Sequence, residues 1–270
     1  MEKSHIDRSV AKFPGDIPPL FPKHLPGLSG VHVFFTTRHP GVSQGGHAGF
    51  NLGDHVGDRP ERVVENRRRL MELLGAPAQR LCLLRQVHGD QVCLPADEPP
   101  EGDALVTDVP GWVLGILVAD CAPVLLVDPL ARVIGAAHAG WRGAVGGVVP
   151  ACMAAMERLG ARRQRIVAVV GPCIGPTAFM VGQDVWERFL QVRDDYQVHF
   201  TVASESGRFL LDLPGFLRRQ MCDEGLVRDR IHHVDLCTFS QENLFFSHRR
   251  SSQCGEGPCG RQMGGIFLAP

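Results

Sequence analysis

From residue 31 to residue 37 the chain reads Val-His-Val-Phe-Phe-Thr-Thr, a run of β-branched and aromatic side chains that predicts a first strand. A loop rich in Gly, His and Ser follows, to about residue 58. The clearest helical pattern lies over 59–74. Pro60 sits in its first turn, Val63, Val64, Leu70, Leu73 and Leu74 supply a core face, and Gly75 ends it. Short apolar runs then predict strands over 81–86, 91–94, 104–107, 112–118, 124–127 and 132–137. Turn signals at Gly89-Asp90, Pro110-Gly111 and Asp128-Pro129 separate them. A helix over 143–159, a strand over 165–170, helices over 183–192 and 212–225 and strands over 231–235 and 265–268 complete the pattern. Strands come in blocks, with spacings that imply hairpins and antiparallel or mixed pairing, so the expected class is α+β rather than a doubly wound sheet.

Pro14, Pro18, Pro19, Pro22 and Pro26 make residues 1–28 an expected extended lead-in, and 29–270 are expected to form one domain without linker or internal repeat. The balance of 28 Lys and Arg against 29 Asp and Glu removes any whole-molecule attraction to nucleic acid or to an anionic membrane, and neither is expected as a partner. Apolar stretches are broken by Asp, Arg or Pro before they reach spanning length. The amino terminus lacks the apolar core of a signal peptide, and nine cysteines follow no framework spacing, so a cytoplasmic, reduced protein is expected, as a monomer. The only lysines are Lys3, Lys12 and Lys23, which excludes a Schiff-base or P-loop lysine from the body of the chain. Binding of anions falls to arginine, whose fork suits phosphate and carboxylate.

Three residues stand where apolar runs break off among small residues. Cys121 follows Asp120 and precedes Ala122-Pro123, His138 precedes Ala139-Gly140, and His88 precedes Gly89. The strand from Val113 and the one ending at His138 are expected to pair through the Asp128-Pro129 turn, bringing Cys121 and His138 together. A thiolate and two imidazoles are the donors of an open zinc site, with a fourth position left for water or substrate. Each residue alone also has a structural reading, since free Cys is usually a buried small hydrophobe and a His beside Gly a hydrogen-bonded loop residue. Their separations match no local zinc-finger pattern.

The wider set of segments carries more. Phe34-Phe35-Thr36-Thr37-Arg38, Asn51-Leu52-Gly53-Asp54-His55-Val56-Gly57-Asp58, Gln86-Val87-His88-Gly89, Asp103-Ala104-Leu105-Val106-Thr107-Asp108, Ala119-Asp120-Cys121-Ala122-Pro123, His138-Ala139-Gly140-Trp141-Arg142-Gly143, Gly171-Pro172-Cys173-Ile174-Gly175-Pro176 and Phe245-Phe246-Ser247-His248-Arg249-Arg250 occur in this order. Together they resemble the laccase-domain family, also called the YfiH, polyphenol oxidase or peptidoglycan-editing-factor family, over about residues 31–268. The resemblance implies a four-layer α/β/β/α sandwich, one zinc ion on His88, Cys121 and His138, and phosphorolysis of adenosine, inosine and methylthioadenosine together with adenosine deamination. Purine nucleosides and inorganic phosphate are then the expected small-molecule partners. The chain departs from the family's usual wording at His39-Pro40-Gly41-Val42-Ser43, at Met180 in Phe179-Met180-Val181-Gly182, and at Cys259-Gly260-Arg261.

Around this set, Arg38 is the first choice for phosphate, ahead of Arg85, Arg142, Arg249 and Arg250, with Asn51 and Gln86 as base or ribose contacts. Asp120, expected to point away from Cys121 along a strand, is read as a structural or supporting carboxylate. Cys173 is expected to pack near the site, and Trp141 either to wall the pocket or to pack. Cys254 and Cys259 with His248 lack a fourth metal ligand and read as a mobile loop. Two other functions remain open. One is a cysteine hydrolase with Cys121 as nucleophile and His138 as base, acting on an amide or a peptidoglycan precursor; the family's similarity in fold to a deamidating toxin keeps it in view. The other is phenol oxidation with copper (Cu2+), for which a single such site is poorly equipped.

Overall fold

The computed structural model describes residues 30–76 and 80–269, together with the short stretches 6–7 and 21–22. The expected lead-in therefore lies almost wholly outside the described residues. Strands β1 (Ile6–Asp7) and β2 (Phe21–Pro22) pair antiparallel. Then follow β3 (Val31–Phe35), α1 (Pro60–Leu73), β4 (Leu81–Cys82), β5 (Val92–Cys93), β6 (Ala104–Thr107), β7 (Val113–Val118), β8 (Ala122–Asp128) and β9 (Val133–Ala139). The second half carries α2 (Trp141–Gly146), α3 (Val148–Arg158), β10 (Val167–Val170), β11 (Met180–Gly182), α4 (Gln183–Leu190), β12 (Phe200–Val202), β13 (Arg208–Leu211), α5 (Leu213–Asp223), β14 (Ile231–His233), α6 (His248–Cys254) and β15 (Gln262–Leu268).

Two mixed sheets form the centre. One has the order β14-β10-β8-β9-β6-β5 and the other β3-β15-β7-β4; a small sheet, β11-β13-β12, stands apart. The alternation of side chains along each strand explains the layering. Leu125, Val127, Ile134 and Ala136 of the six-stranded sheet meet Val33, Phe35, Leu114, Ile116 and Ile266 of the four-stranded sheet in one buried core. Their strand neighbours Val124, Leu126, Val133 and Ala137 face outward onto Val149, Cys152 and Met156 of α3 and Phe216 and Leu217 of α5. On the opposite side Phe34, Val113 and Phe267 pack on Leu70 and Met71 of α1. The result is the α/β/β/α sandwich that the family resemblance implies, in an α+β chain as the element pattern predicts.

The structure departs from the sequence reading at several points that matter for the site. The strand from Val113 does not pair with the strand ending at His138. β7 pairs with β15 and β4, whereas β8 pairs with β9, so the chain crosses from one sheet to the other through Ala119, Asp120 and Cys121. The expected strand over 81–86 keeps only Leu81–Cys82 in the ladder. Farther on, the Gln86 side-chain amide substitutes for a strand, donating from Nε2 to Leu117 O and accepting from Leu117 N, both at 2.9 Å. The helix expected over 143–159 begins at Trp141 and breaks at Gly147, whose φ of 95° is one that only glycine adopts without strain. On α1, Val63 is buried but Val64 is 65 % exposed, so the core face runs through Val63, Asn66, Leu70 and Met71. The stretch read as a mobile loop around Cys254 is in part the helix α6. Ser247 caps it by accepting from Arg250 N, and Gly255 closes it in the left-handed region.

The β8–β9 turn is held by Asp128, whose carboxylate has no solvent exposure. Its Oδ1 accepts from Leu130 N and Ala131 N, and its Oδ2 accepts from Arg162 N and from Nε and Nη2 of Arg165. Removing it strands three backbone amides and two guanidinium N–H donors at the end of the central hairpin. Asp128→Ala is expected to lower unfolding free energy by about 2–4 kcal/mol, read as a lower urea midpoint with an unchanged denaturant slope.

Candidate metal centre

Three side chains that are far apart in sequence converge at the β7-to-β8 crossing. His88, Cys121 and His138 place their ligand atoms within 4.8 Å of one another, the only such group of three His, Cys, Asp or Glu among the described residues. Cys121 Sγ lies 3.9 Å from His88 Nε2, and the two imidazole rings stand edge to face with centroids 4.8 Å apart. His138 is held on β9, opposite Pro123 of β8. Cys121 directly follows Asp120, whose φ of 99° turns the chain out of one sheet and into the other. His88 sits in a tight turn with φ of 62°. His138 is buried, Cys121 is half-buried and His88 is exposed, so the group opens to one side.

Asp103, with no solvent exposure, organises the group. Its Oδ1 lies 2.7 Å from His138 Nδ1 and accepts from His88 N at 3.0 Å. Its Oδ2 accepts from Val87 N at 3.1 Å and Gly89 N at 2.7 Å. One buried carboxylate thus fixes the His138 tautomer, leaving Nε2 for a metal, and also anchors the turn that carries His88. Desolvation acts to raise the Asp103 pKa, but the hydrogen bonds from His138 and from the amides outweigh it and the carboxyl is held below its usual value. Sequence reading gave this residue no role. Its signal was a lone carboxylate opening an otherwise apolar strand.

Without a metal, burial acts to raise the Cys121 thiol, yet the charge of His138 and hydrogen bonds from His138 and His88 bring it down to about 6. Burial acts to lower His138, and the thiolate and Asp103 raise it to about 9. Near neutrality the pair is a thiolate facing an imidazolium. Gly140 completes the cradle, since a Cβ there would stand 2.9 Å from Cys121 Sγ and 3.1 Å from His88 Cδ2. A soft thiolate, two imidazoles, one of them oriented by a carboxylate, and a space kept clear by glycine fit a metal ion.

The group faces a cavity of about 260 Å³, whose walls include Trp141, Ile174, Phe179 and Leu213 with Arg142 and Arg249. Trp141 is therefore a wall residue. Asp120 is also on the wall, but it is a tie: Oδ1 accepts from Thr238 Oγ1 and Oδ2 from Arg249 N, both at 2.7 Å. Cys173 is buried behind Ile174, its thiol pushed far up by burial. The expected substrate residues lie elsewhere. Arg38 packs over Phe246 and lines two other cavities. Asn51 is wholly buried and spends its amide on Gly53, Asp58 and Arg261 N. Gln86 is engaged with β7 and faces a separate cavity beside Asp54 and His55. His248 lines the metal cavity and forms no metal group with Cys254 and Cys259.

The family model described as multi-copper polyphenol oxidoreductase laccase matches residues 32–269. The chain belongs to this family. A Deinococcus radiodurans relative named purine nucleoside phosphorylase is 44% identical over 245 residues, covering 90% of this chain and 91% of the relative. The Escherichia coli purine nucleoside phosphorylase YfiH is 35% identical, covering 85% and 93%. Among solved structures, the Bacillus licheniformis hypothetical protein YfiH superposes with a TM-score of 0.86 at 29% identity, over 93% of this chain and 96% of that one. The Neisseria meningitidis protein NMB0706 gives 0.82 at 35% identity, over 92% and 98%. Among the described residues of this family member, no helix is long and apolar enough to cross a membrane.

Two outcomes follow from the geometry. Asp103→Asn places an amide where two backbone N–H groups donate, and Zn2+ affinity measured by chelator competition is expected to fall about 10–100-fold, with folding checked in parallel. In the intact protein a metal must displace the His138 proton, bound below about 9, whereas the Cys121 proton is already lost above about 6. Zn2+ binding at pH 7.5 should therefore release about one proton from this pair, with affinity rising roughly tenfold per pH unit and levelling above pH 9. Calorimetry in buffers of different ionisation enthalpy reads the proton count.

Proposed function

We propose that this chain is a zinc-dependent purine nucleoside phosphorylase, which cleaves adenosine, inosine and methylthioadenosine with inorganic phosphate and also deaminates adenosine. The observation that carries the proposal is the donor set of His88, Cys121 and His138 opening onto a small, apolar-walled cavity. The names of the relatives support the same reading. At about 260 Å³ the cavity is at the small end of ligand sites, a size for a nucleoside rather than a polymer.

In phosphorolysis a phosphate oxygen bonds to C1′ as the bond from C1′ to the base breaks and the base departs with the electron pair. Trp141, Phe179, Ile174 and Leu213 would give the purine an apolar wall that excludes water. His88, Cys121 and His138 would hold the zinc ion, with Asp103 occupied by His138 Nδ1 so that Nε2 is the nitrogen turned to the metal. When bound, zinc would supply Lewis-acid polarisation to a substrate atom or water. In this reading Cys121 and His138 act as ligands, not as nucleophile and base. Deamination further needs a carrier for protons. Asp120 is the only carboxylate on the cavity wall among the described residues, and both its oxygens already accept hydrogen bonds. Support is therefore stronger for phosphorolysis than for deamination.

A second reading has its own observation. In the metal-free protein Cys121, His138 and Asp103 line up as thiolate, imidazolium and buried carboxylate, the arrangement of a cysteine hydrolase. Metal content separates the two, because the same thiolate cannot both ligate and attack. Copper oxidation is disfavoured by the single three-residue group among the described residues, since reducing dioxygen to water draws on several coppers.

Incubating zinc-loaded protein with adenosine and phosphate is expected to yield adenine and ribose 1-phosphate, with inosine and hypoxanthine as the mark of deamination. Absence of every such product at full zinc occupancy would sink the proposal. Iodoacetamide should alkylate Cys121 in chelator-treated protein and spare it when zinc is bound; activity that survives the chelator and is lost to iodoacetamide would instead identify a hydrolase.

A further inference from the structure

We infer that Arg142 and Arg249 form the phosphate subsite of this cavity, each guanidinium shelved on an aromatic ring of the wall. The inference rests on the phosphorolysis reading and assigns it a co-substrate site. Arg142 Cζ lies 4.4 Å from the centroid of the Trp141 ring, and Arg249 Cζ lies 5.5 Å from that of Phe179. All four residues line the metal cavity. Stacking restrains the guanidinium plane while leaving its N–H edge free, the edge that meets an oxyanion in a two-pronged contact.

Several arginines of the chain, Arg38 and Arg250 included, lack a carboxylate partner among the described residues, but Arg142 and Arg249 are the two that line the metal cavity. Arg68, Arg69, Arg163, Arg165, Arg193 and Arg219 are each paired with carboxylates. Among the described residues neither Arg142 nor Arg249 has a carboxylate within ion-pair distance. The Arg142 side chain makes no hydrogen bond among the described residues, and the Arg249 side chain donates only from Nη1, to Met180 O at 2.6 Å. The cavity's one carboxylate, Asp120, accepts from Arg249 N rather than from its guanidinium. A neutral nucleoside does not call for two unpaired guanidiniums, whereas phosphate, doubly charged in part at neutral pH, does. Trp141 and Arg142 directly follow Gly140 of the metal cradle, which places the anion beside the metal group rather than at Arg38.

The test uses full-length zinc-loaded protein and an exposed residue, so that folding is not at risk. Arg142→Gln is expected to raise the phosphate KM about 10–100-fold, as for loss of a charge-assisted contact, with the nucleoside KM within about twofold and zinc content unchanged. Arg142→Lys, which keeps the charge without the fork, should recover part of the loss. Titration of inorganic phosphate alone, followed by calorimetry, should weaken by a similar factor in Arg142→Gln. Unchanged phosphate KM and binding, or an equal rise in both KM values, would overturn the subsite. Arg142-dependent phosphate binding without turnover would uphold the subsite and sink the phosphorylase reading. Turnover with an indistinguishable Arg142→Gln would do the reverse. If adenosine 5′-monophosphate but not free phosphate binds in an Arg142-dependent way, the site reads a phosphate ester, and its assignment to the co-substrate fails.

Discussion

The buried carboxylate of Asp103 is the constraint on which the centre depends. It accepts from three consecutive amides of the His88 turn and contacts Nδ1 of His138, so a ligand on a turn and a ligand on β9 share one reference point. An unpaired carboxylate there would be costly, and the amides of the turn would be equally costly without it. Each therefore requires the other, and the turn keeps its positive φ because the carboxylate over-determines it. A metal ion held there would exploit an arrangement that the protein needs in order to fold locally.

The third donor depends on a different device. Because β7 and β8 belong to different sheets, the chain must pass between them, and it does so at Asp120 and Cys121. Asp120 pins the crossing to Thr238 and to the backbone of α6, drawing the segment that carries Arg249 onto the cavity. Cys121 then stands half-buried at the crossing, packed on the core between the sheets and reaching the cavity. The metal group and the cavity wall are thus products of one sheet-to-sheet step.

Much of this was legible in the chain. The strands and α1 were readable because apolar periodicity and chain breaks at Gly and Pro mark where elements begin and end. The grouping of His88, Cys121 and His138 rested on the family resemblance, since spacing alone left each residue a structural reading. The partner of β7 was not readable, because sequence proximity favours a hairpin and only the far C-terminal β15 reveals the second sheet. Asp103 was invisible for a related reason: its worth lies in long-range donors. Arg38, Asn51 and Gln86 were expected at the substrate because they lie in segments that match the family, Arg38 at the end of the first strand. Two of them are instead consumed by backbone groups that the sheet ladders leave unpaired, Gln86 at β7 and Asn51 at Gly53 and Arg261. What marks Arg142 and Arg249 is their shared place on one cavity wall, which becomes visible only once neighbours in space are known.

The same atoms serve two chemistries, and occupancy decides between them. A thiolate stabilised by an imidazolium is both a nucleophile and a metal ligand kept from protonation. In the metal-free state the pair satisfies itself, since the proton that Cys121 gives up is held by His138. A metal ion replaces that proton, and the thiolate, its charge now shared with the metal, becomes a poor nucleophile. Gly140 tilts the balance toward the metal, because a mere thiolate–imidazolium pair has no need of the clearance kept beside Sγ and His88 Cδ2. His88 tilts it further. A hydrolase needs one base for one thiol, whereas here a second imidazole is held at the sulfur by a strained turn and a buried acid. That extra, costly donor is what a metal site requires and a cysteine nucleophile does not.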